Sequence, residues 1–197
     1  MGISELTASS PARNPVVTVF GSGILEEPDA AYQEARTIGR MLAEGGCTIC
    51  NGGYGGLMAA TARGAKEMGG RTIGITLRAI PAAPNRWIDR EISTGSLTER
   101  LMELVSTGDG FVILRGGTGT LLELAAVWEL MNKEFQPRKP VVAVGDFWSP
   151  VIGLMARQLT AEGRTGAARY VVSVSSAREA AEFMIGALRG HYPAGSA

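Results

Sequence analysis

Nine consecutive residues gather most of the groups that could do chemistry: Arg115-Gly116-Gly117-Thr118-Gly119-Thr120-Leu121-Leu122-Glu123. An apolar run, Gly110-Phe111-Val112-Ile113-Leu114, comes before them and reads as a buried parallel strand. Behind them, residues 121–133 carry apolar side chains at helical spacing: Leu121, Leu124, Ala125, Val127, Trp128 and Met131. A strand, a glycine turn and a helix start in series make an anion site. Glycines let several backbone N–H groups converge, and the unpaired N–H groups of the helix N-terminus join them. Thr118 and Thr120 can add hydroxyl donors. Glu123 falls in the first helical turn on this reading, where a carboxylate gains about 0.3–1 kcal/mol against the helix dipole. Capping the helix would by itself account for Glu123.

Other reactive groups are few. The single histidine, His191, lies near the C-terminal end, which argues against a Ser–His–Asp triad, a Cys–His pair and histidine metal sites. The two cysteines spell Cys47-x-x-Cys50. That spacing on a strand turns the thiols to opposite faces, and two thiols alone make a poor zinc site. They read as buried apolar fillers. What remains is Arg100, Glu123, the threonines, Ser22, Asn51, Tyr54, Arg115 and Glu129. One carboxylate, one arginine and a phosphate cradle suit a reaction whose transition state develops positive charge on a sugar, such as cleavage of an N-glycosidic bond. The carboxylate can stabilise the oxocarbenium-like carbon and deprotonate the attacking water. Arginine can orient the carboxylate or grip a phosphate bidentately. On spacing alone, Arg100 equally fits a solvated helix position paired with Glu99 or Glu103.

These groups must be positioned by alternating strands and helices. The pattern predicts strands over 16–20, 47–50, 71–76, 110–114, 140–144 and 170–174, with a short one around 90–92. Helices are expected from Pro28 to about Glu44, over 57–68, 97–106 and 121–133, from Ser149 (N-cap) and Pro150 (N1) to about Leu159, and over 176–188. Ser176 and Glu179 spell a capping box. Residues 78–96 are less regular. The predicted fold is α/β: a single-domain, Rossmann-like, doubly wound, mostly parallel sheet with helices on both faces. Ligands of such sheets bind beyond the carboxyl ends of the strands. The glycine turns at 21–23, 52–56 and 116–119 all follow strands and should converge on one crevice. None fits the dinucleotide fingerprint well, and no Gly-Lys-Ser/Thr phosphate loop occurs, so a mononucleotide or related phosphate is expected.

With 197 residues and 19 basic against 19 acidic side chains, the chain has the size of one α/β domain and no net charge. Neutrality without a basic run disfavours nucleic acid and membrane surfaces as partners. No apolar run reaches the length of a membrane span. Residues 1–14 read as a disordered arm, 15–190 as the nucleotide-binding domain and 191–197 as a flexible tail, and the location as cytoplasmic.

At the glycine turns the sequence resembles the Lonely Guy (LOG) type phosphoribohydrolases, once described as lysine decarboxylases. The family's hallmark is Pro-Gly-Gly-x-Gly-Thr-x-x-Glu, and Gly116 to Glu123 matches it after the first position. Asn51-Gly52-Gly53-Tyr54-Gly55-Gly56-Leu57-Met58 is similar to its Gly-Gly-Gly-x-x-Gly-Leu-Met loop. Arg100 falls where the family has its catalytic arginine, and Asp109 at its acidic position before the hallmark strand. The resemblance runs from Val16 to about Leu159. It implies hydrolysis of a purine or cytokinin nucleoside 5′-monophosphate to free base and ribose 5-phosphate, with AMP as plausible a substrate as a cytokinin nucleotide. Gly116, Gly117, Gly119 and Thr120, with Thr118 beside them, would hold the 5′-phosphate. Glu123 would act at C1′ with Arg100 positioning it. Gly21, Ser22, Gly52, Gly53, Tyr54 and Gly55 would line the ribose and base side. No metal and no cofactor is implied. A homodimer is, with the end of the helix from Trp128 to Phe135 as part of its interface. The departures are Arg115 for proline, Leu101 for lysine, Asn51 for glycine, Leu122 for glutamate, and a divergent segment after Ile75. The fold is similar as well to molybdenum-cofactor carriers and nucleotide sensors, so a non-catalytic carrier or sensor of a phosphorylated ligand is the alternative.

Overall fold

The computed structural model describes residues 13–190. Its strands are β1 (Val16–Phe20), β2 (Thr48–Asn51), β3 (Thr72–Leu77), β4 (Arg90–Thr94), β5 (Gly110–Ile113), β6 (Val141–Val144) and β7 (Val171–Val174). They form one sheet in the order β4-β3-β2-β1-β5-β6-β7. Every pairing is parallel, so the sheet is wholly rather than mostly parallel. The sequence explains why: β1, β2, β5 and β6 are buried at every position, as strands covered on both faces must be. The edge strand β4 is mostly exposed, which is why the sequence around it is polar.

Helices α1 (Ala30–Glu44), α2 (Gly56–Glu67) and α6 (Ala177–Leu188) pack on one face; α3 (Leu97–Thr107), α4 (Thr118–Asn132) and α5 (Ser149–Ala161) cover the other. Each face closes its own core. Ile38, Leu42, Ile49 and Met184 belong to the first, Phe20, Leu104, Phe111 and Met131 to the second. The chain leaves β1 toward β2 on one side and enters β5 on the other. The topological switch point therefore lies between β1 and β5, where a crevice must open.

Several local expectations change. Helix α1 begins at Ala30, because Asp29 caps it by accepting the N–H of Ala31 at 2.7 Å. Helix α4 begins at Thr118, not Leu121, with Gly117 as its N-cap. Glu123 thus sits in the second turn, and the dipole argument for it falls away. Trp148, not Ser149, stands at the N-cap of α5. Its indole is buried and donates to the carbonyl of Leu114 at 2.9 Å, so packing overrides the capping preference of serine. Ser176 does cap α6 by accepting from the N–H of Glu179, while the Glu179 carboxylate reaches the N–H of Ser175 instead of the cap residue itself. Trp128 and Met131 are core residues; the Trp128 indole donates to Ala167 at 2.8 Å. Neither can form the expected interface, whereas Phe135 is 79% exposed.

Arg13, placed in the arm by sequence, pairs with Asp109 at 2.7 Å, and Asp109 also accepts the N–H of Val16 at 2.8 Å. Residues 1–12 of the arm and the tail 191–197 with His191 lie outside the described residues. Cys47 and Cys50 are buried in opposite cores. Burial pushes their thiols up to about 11 and about 12, which leaves them protonated and unreactive at neutral pH. Among the described residues no helix is long and apolar enough to cross a membrane.

Candidate functional site

The three glycine turns meet at the switch point. Ser22, after β1, donates its N–H to the carbonyl of Arg115, after β5, at 2.9 Å. The carbonyl of Ser22 accepts from the N–H of Leu57, in the first turn of α2, at 2.8 Å. Gly56 has φ +64°, and a Cβ there would run into the backbone of Ser22 and Gly23. Only glycine lets the second turn lie this close to the first.

The two helix starts at the crevice differ. That of α2 already gives the N–H of Leu57 to Ser22. No side chain caps α4, and Gly117, Thr118 and Gly119 are exposed. Its first-turn N–H groups are open to an outside anion. Thr120 is 3% exposed and packs against Gly116, so its side chain lines the turn from behind. Gly117 has negative φ and open space where a Cβ would go. Gly117→Ala should therefore fold normally while weakening binding of monophosphates about tenfold and of nucleosides little, because the methyl stands between anion and backbone. Equal losses for both, measured by calorimetry, would make the turn a purely structural one.

Arg100 crosses from α3 to the second turn. Its Nε donates to the carbonyl of Ile75 at 2.8 Å and its Nη2 to that of Gly52 at 3.0 Å. The guanidinium lies 5.6 Å from the Tyr54 ring centre. A Cβ on Gly52 would collide with it. The alternative pairing with Glu99 does not form: the Glu99 carboxylate caps Gly95 at 2.7 Å. Among the described residues no carboxylate forms an ion pair with Arg100.

Glu123 is half-buried on α4 and has no hydrogen bond or ion pair among the described residues. Burial pushes its carboxyl up to about 7, with the charge of Arg100 pulling the other way. A carboxyl that titrates near neutrality beside an arginine and an open helix start can take or give a proton at working pH.

Two other expected residues spend their polar atoms within the fold. Asn51 is fully buried; its amide donates to Met58 at 2.9 Å and its oxygen accepts the N–H of Gly53 at 2.8 Å. The Tyr54 hydroxyl accepts the N–H of Leu77 at 2.8 Å and donates to the Leu77 carbonyl at 3.2 Å. Arg115 is exposed and lies 5.5 Å over Phe147, lining a cleft of about 360 Å³ between α1 and the end of β6. One contributor went unread in the sequence. Asn85 hydrogen-bonds the carbonyls of Gly53 and Tyr54, 32 and 31 positions away. Pro84-Asn85 signals a turn, but nothing local says where that turn docks.

Comparisons with known proteins bear on the family and the fold. An uncharacterized protein of Archaeoglobus fulgidus is 33% identical over 129 residues, 66% of this chain and 83% of that protein. A cytokinin riboside 5′-monophosphate phosphoribohydrolase of Mycobacterium tuberculosis is 32% identical over 62% of this chain and 66% of its own. The matches take in only 46% to 66% of the rice and mycobacterial relatives carrying that name. Among solved structures, the molybdenum cofactor binding protein of Rippkaea orientalis superimposes with a TM-score of 0.71 at 25% identity, covering 90% of this chain and 99% of that one. The sequence profile of the SLOG cluster4 family matches residues 14–176, from just before β1 to the capping serine of α6, and the chain belongs to that family.

Proposed function

We propose that the protein is a nucleoside 5′-monophosphate phosphoribohydrolase, cleaving the N-glycosidic bond of a purine or cytokinin nucleotide to free base and ribose 5-phosphate. One observation carries the reading. A half-buried carboxyl raised to about 7, Glu123, stands in the second turn of the helix that starts at the uncapped Gly117 turn and feels the charge of Arg100. Pure phosphate binding gains nothing from a carboxylate close to the anion, whereas glycosidic cleavage needs one. In the reaction, the C1′–N bond breaks, water adds to C1′, and the base departs with a proton. Ionised Glu123 would stabilise the cationic C1′ and take the proton of the attacking water. Backbone N–H groups of Gly117 to Thr120 would hold the 5′-phosphate, while Arg100 fixes the second turn and favours the ionised form of Glu123 against the rise that burial causes.

The test is incubation with AMP, other nucleoside monophosphates and isopentenyladenosine monophosphate, followed by chromatographic separation of the products. Free base from the wild-type protein is expected. No free base from any of them would overturn the reading. It would leave a carrier of a phosphorylated ligand, the alternative favoured by the likeness to the Rippkaea orientalis protein.

A further inference from the structure

The connection from β3 to β4, residues 78–89, is the longest irregular one among the described residues, yet it is tightly fastened. Asp89 holds Lys66 at 2.7 Å and the N–H of Thr72 at 2.9 Å. Trp87 has the guanidinium of Arg86 4.4 Å from its ring centre and that of Arg63 at 5.9 Å. Between the strand ends, Asn85 grips the second glycine turn. Its N–H donates to the Gly53 carbonyl at 2.7 Å, and its Nδ2 donates to the carbonyls of Gly53 at 3.1 Å and Tyr54 at 2.8 Å. Its Oδ1 accepts the N–H of Trp87 at 3.0 Å, which fixes the amide's orientation.

We propose that Asn85 is a positioning residue that sets the shape of the Gly52–Gly55 turn and thereby selects the base of the bound nucleotide. Two asparagines clamp Gly53 from either side. Asn51 takes its N–H, and Asn85 takes its carbonyl together with the next one. Both peptide planes are held, so the turn offers ligands one fixed face instead of an adaptable loop. A site discriminates between similar ligands through polar groups that cannot reorient to suit the wrong one. The phosphate turn is tied to the first turn through the Arg115 carbonyl and the Ser22 N–H, whereas of the three turns Asn85 bonds the second, so the phosphate side of the crevice does not depend on Asn85. The inference rests on the phosphoribohydrolase reading for the identity of its ligands.

The decisive comparison is Asn85→Asp against wild type. Aspartate keeps the acceptor for Trp87 but sets an oxygen against the two carbonyls that the amide now bonds. Binding of AMP, GMP, CMP, UMP and ribose 5-phosphate is measured by calorimetry in the Glu123→Gln background, which keeps nucleotides intact. Hydrolysis is followed in the native background, and thermal melting in both. Asn85→Asp is expected to weaken the preferred nucleotide about tenfold, the worth of a lost hydrogen bond, and to flatten the preference among bases. Ribose 5-phosphate should bind as before. Unchanged nucleotide preference, or an equal loss for ribose 5-phosphate, would overturn the inference. So would a wild-type protein that binds no nucleotide more tightly than ribose 5-phosphate. Selective binding without hydrolysis would overturn the proposed reaction and leave the role of Asn85 standing.

Discussion

Glu123→Gln is expected to slow release of free base by about 10²–10⁴-fold, the usual worth of a positioned acid–base group. The same change is expected to stabilise the fold above neutral pH. Both effects follow from one fact: the carboxyl is half-buried without a partner and raised from 4.5 to about 7. Between those values the folded protein binds more protons than the unfolded chain. Stability therefore falls as pH rises through that window and levels off above about 7. The shift corresponds to at most about 3 kcal/mol. Glutamine carries no charge to bury, so its advantage should be absent below pH 4.5 and full at pH 8. Thermal melts of both proteins at pH 4.5 and pH 8, beside chromatographic assays, check the two halves. Full activity in the variant would remove Glu123 from the reaction. Equal stabilisation at both pH values would mean that the carboxyl does not titrate where burial puts it. A group that lowers stability at working pH is what functional sites hold and cores do not.

The crevice was legible in the sequence because its chemistry is local. Strand, glycine turn and helix start are contiguous in 110–123, and their geometry follows from backbone rules alone. The alternation of elements and the burial of both sheet faces were likewise written in short apolar runs such as Val16–Phe20 and Val141–Val144. What could not be read is whatever depends on partners distant in the chain. On spacing, Arg100 fits a solvated helix position as well as a crevice one, and the carbonyls of Ile75 and Gly52 that hold it lie far away in the chain. Asn51 and Tyr54 looked like crevice groups, but their polar atoms are spent on Met58, Gly53 and Leu77. Trp148 took the cap position from Ser149 because burying an indole outweighs one capping hydrogen bond. Trp128 and Met131 shared a periodicity that fits core and interface equally, and only the position of α4 on the sheet separates the two.

Arg100 should divide the next-largest effect between geometry and charge. Arg100→Lys keeps the positive charge, but one ammonium on a flexible stem cannot hold the carbonyls of Ile75 and Gly52 as the planar fork does. Its hydrolysis rate is expected to fall about tenfold, with the midpoint of the acidic limb of the pH–rate profile unmoved. Arg100→Ala removes both contributions. The second turn loses its anchor, and displacement of a reacting group by about 1 Å costs on the order of 10² in rate. Glu123 also loses the one charge that pulls its carboxyl down, so its value must climb above about 7. Because the ionised form is the active one, the acidic limb should then move to higher pH. At pH 7 the alanine variant suffers twice, while at pH 9 only the geometric loss remains. Rate profiles from pH 5 to pH 9 for the three proteins separate these contributions. If the alanine variant were slowed by the same factor at every pH, the charge of Arg100 would not reach Glu123. If it were not slowed at all, Arg100 would have no part in the reaction.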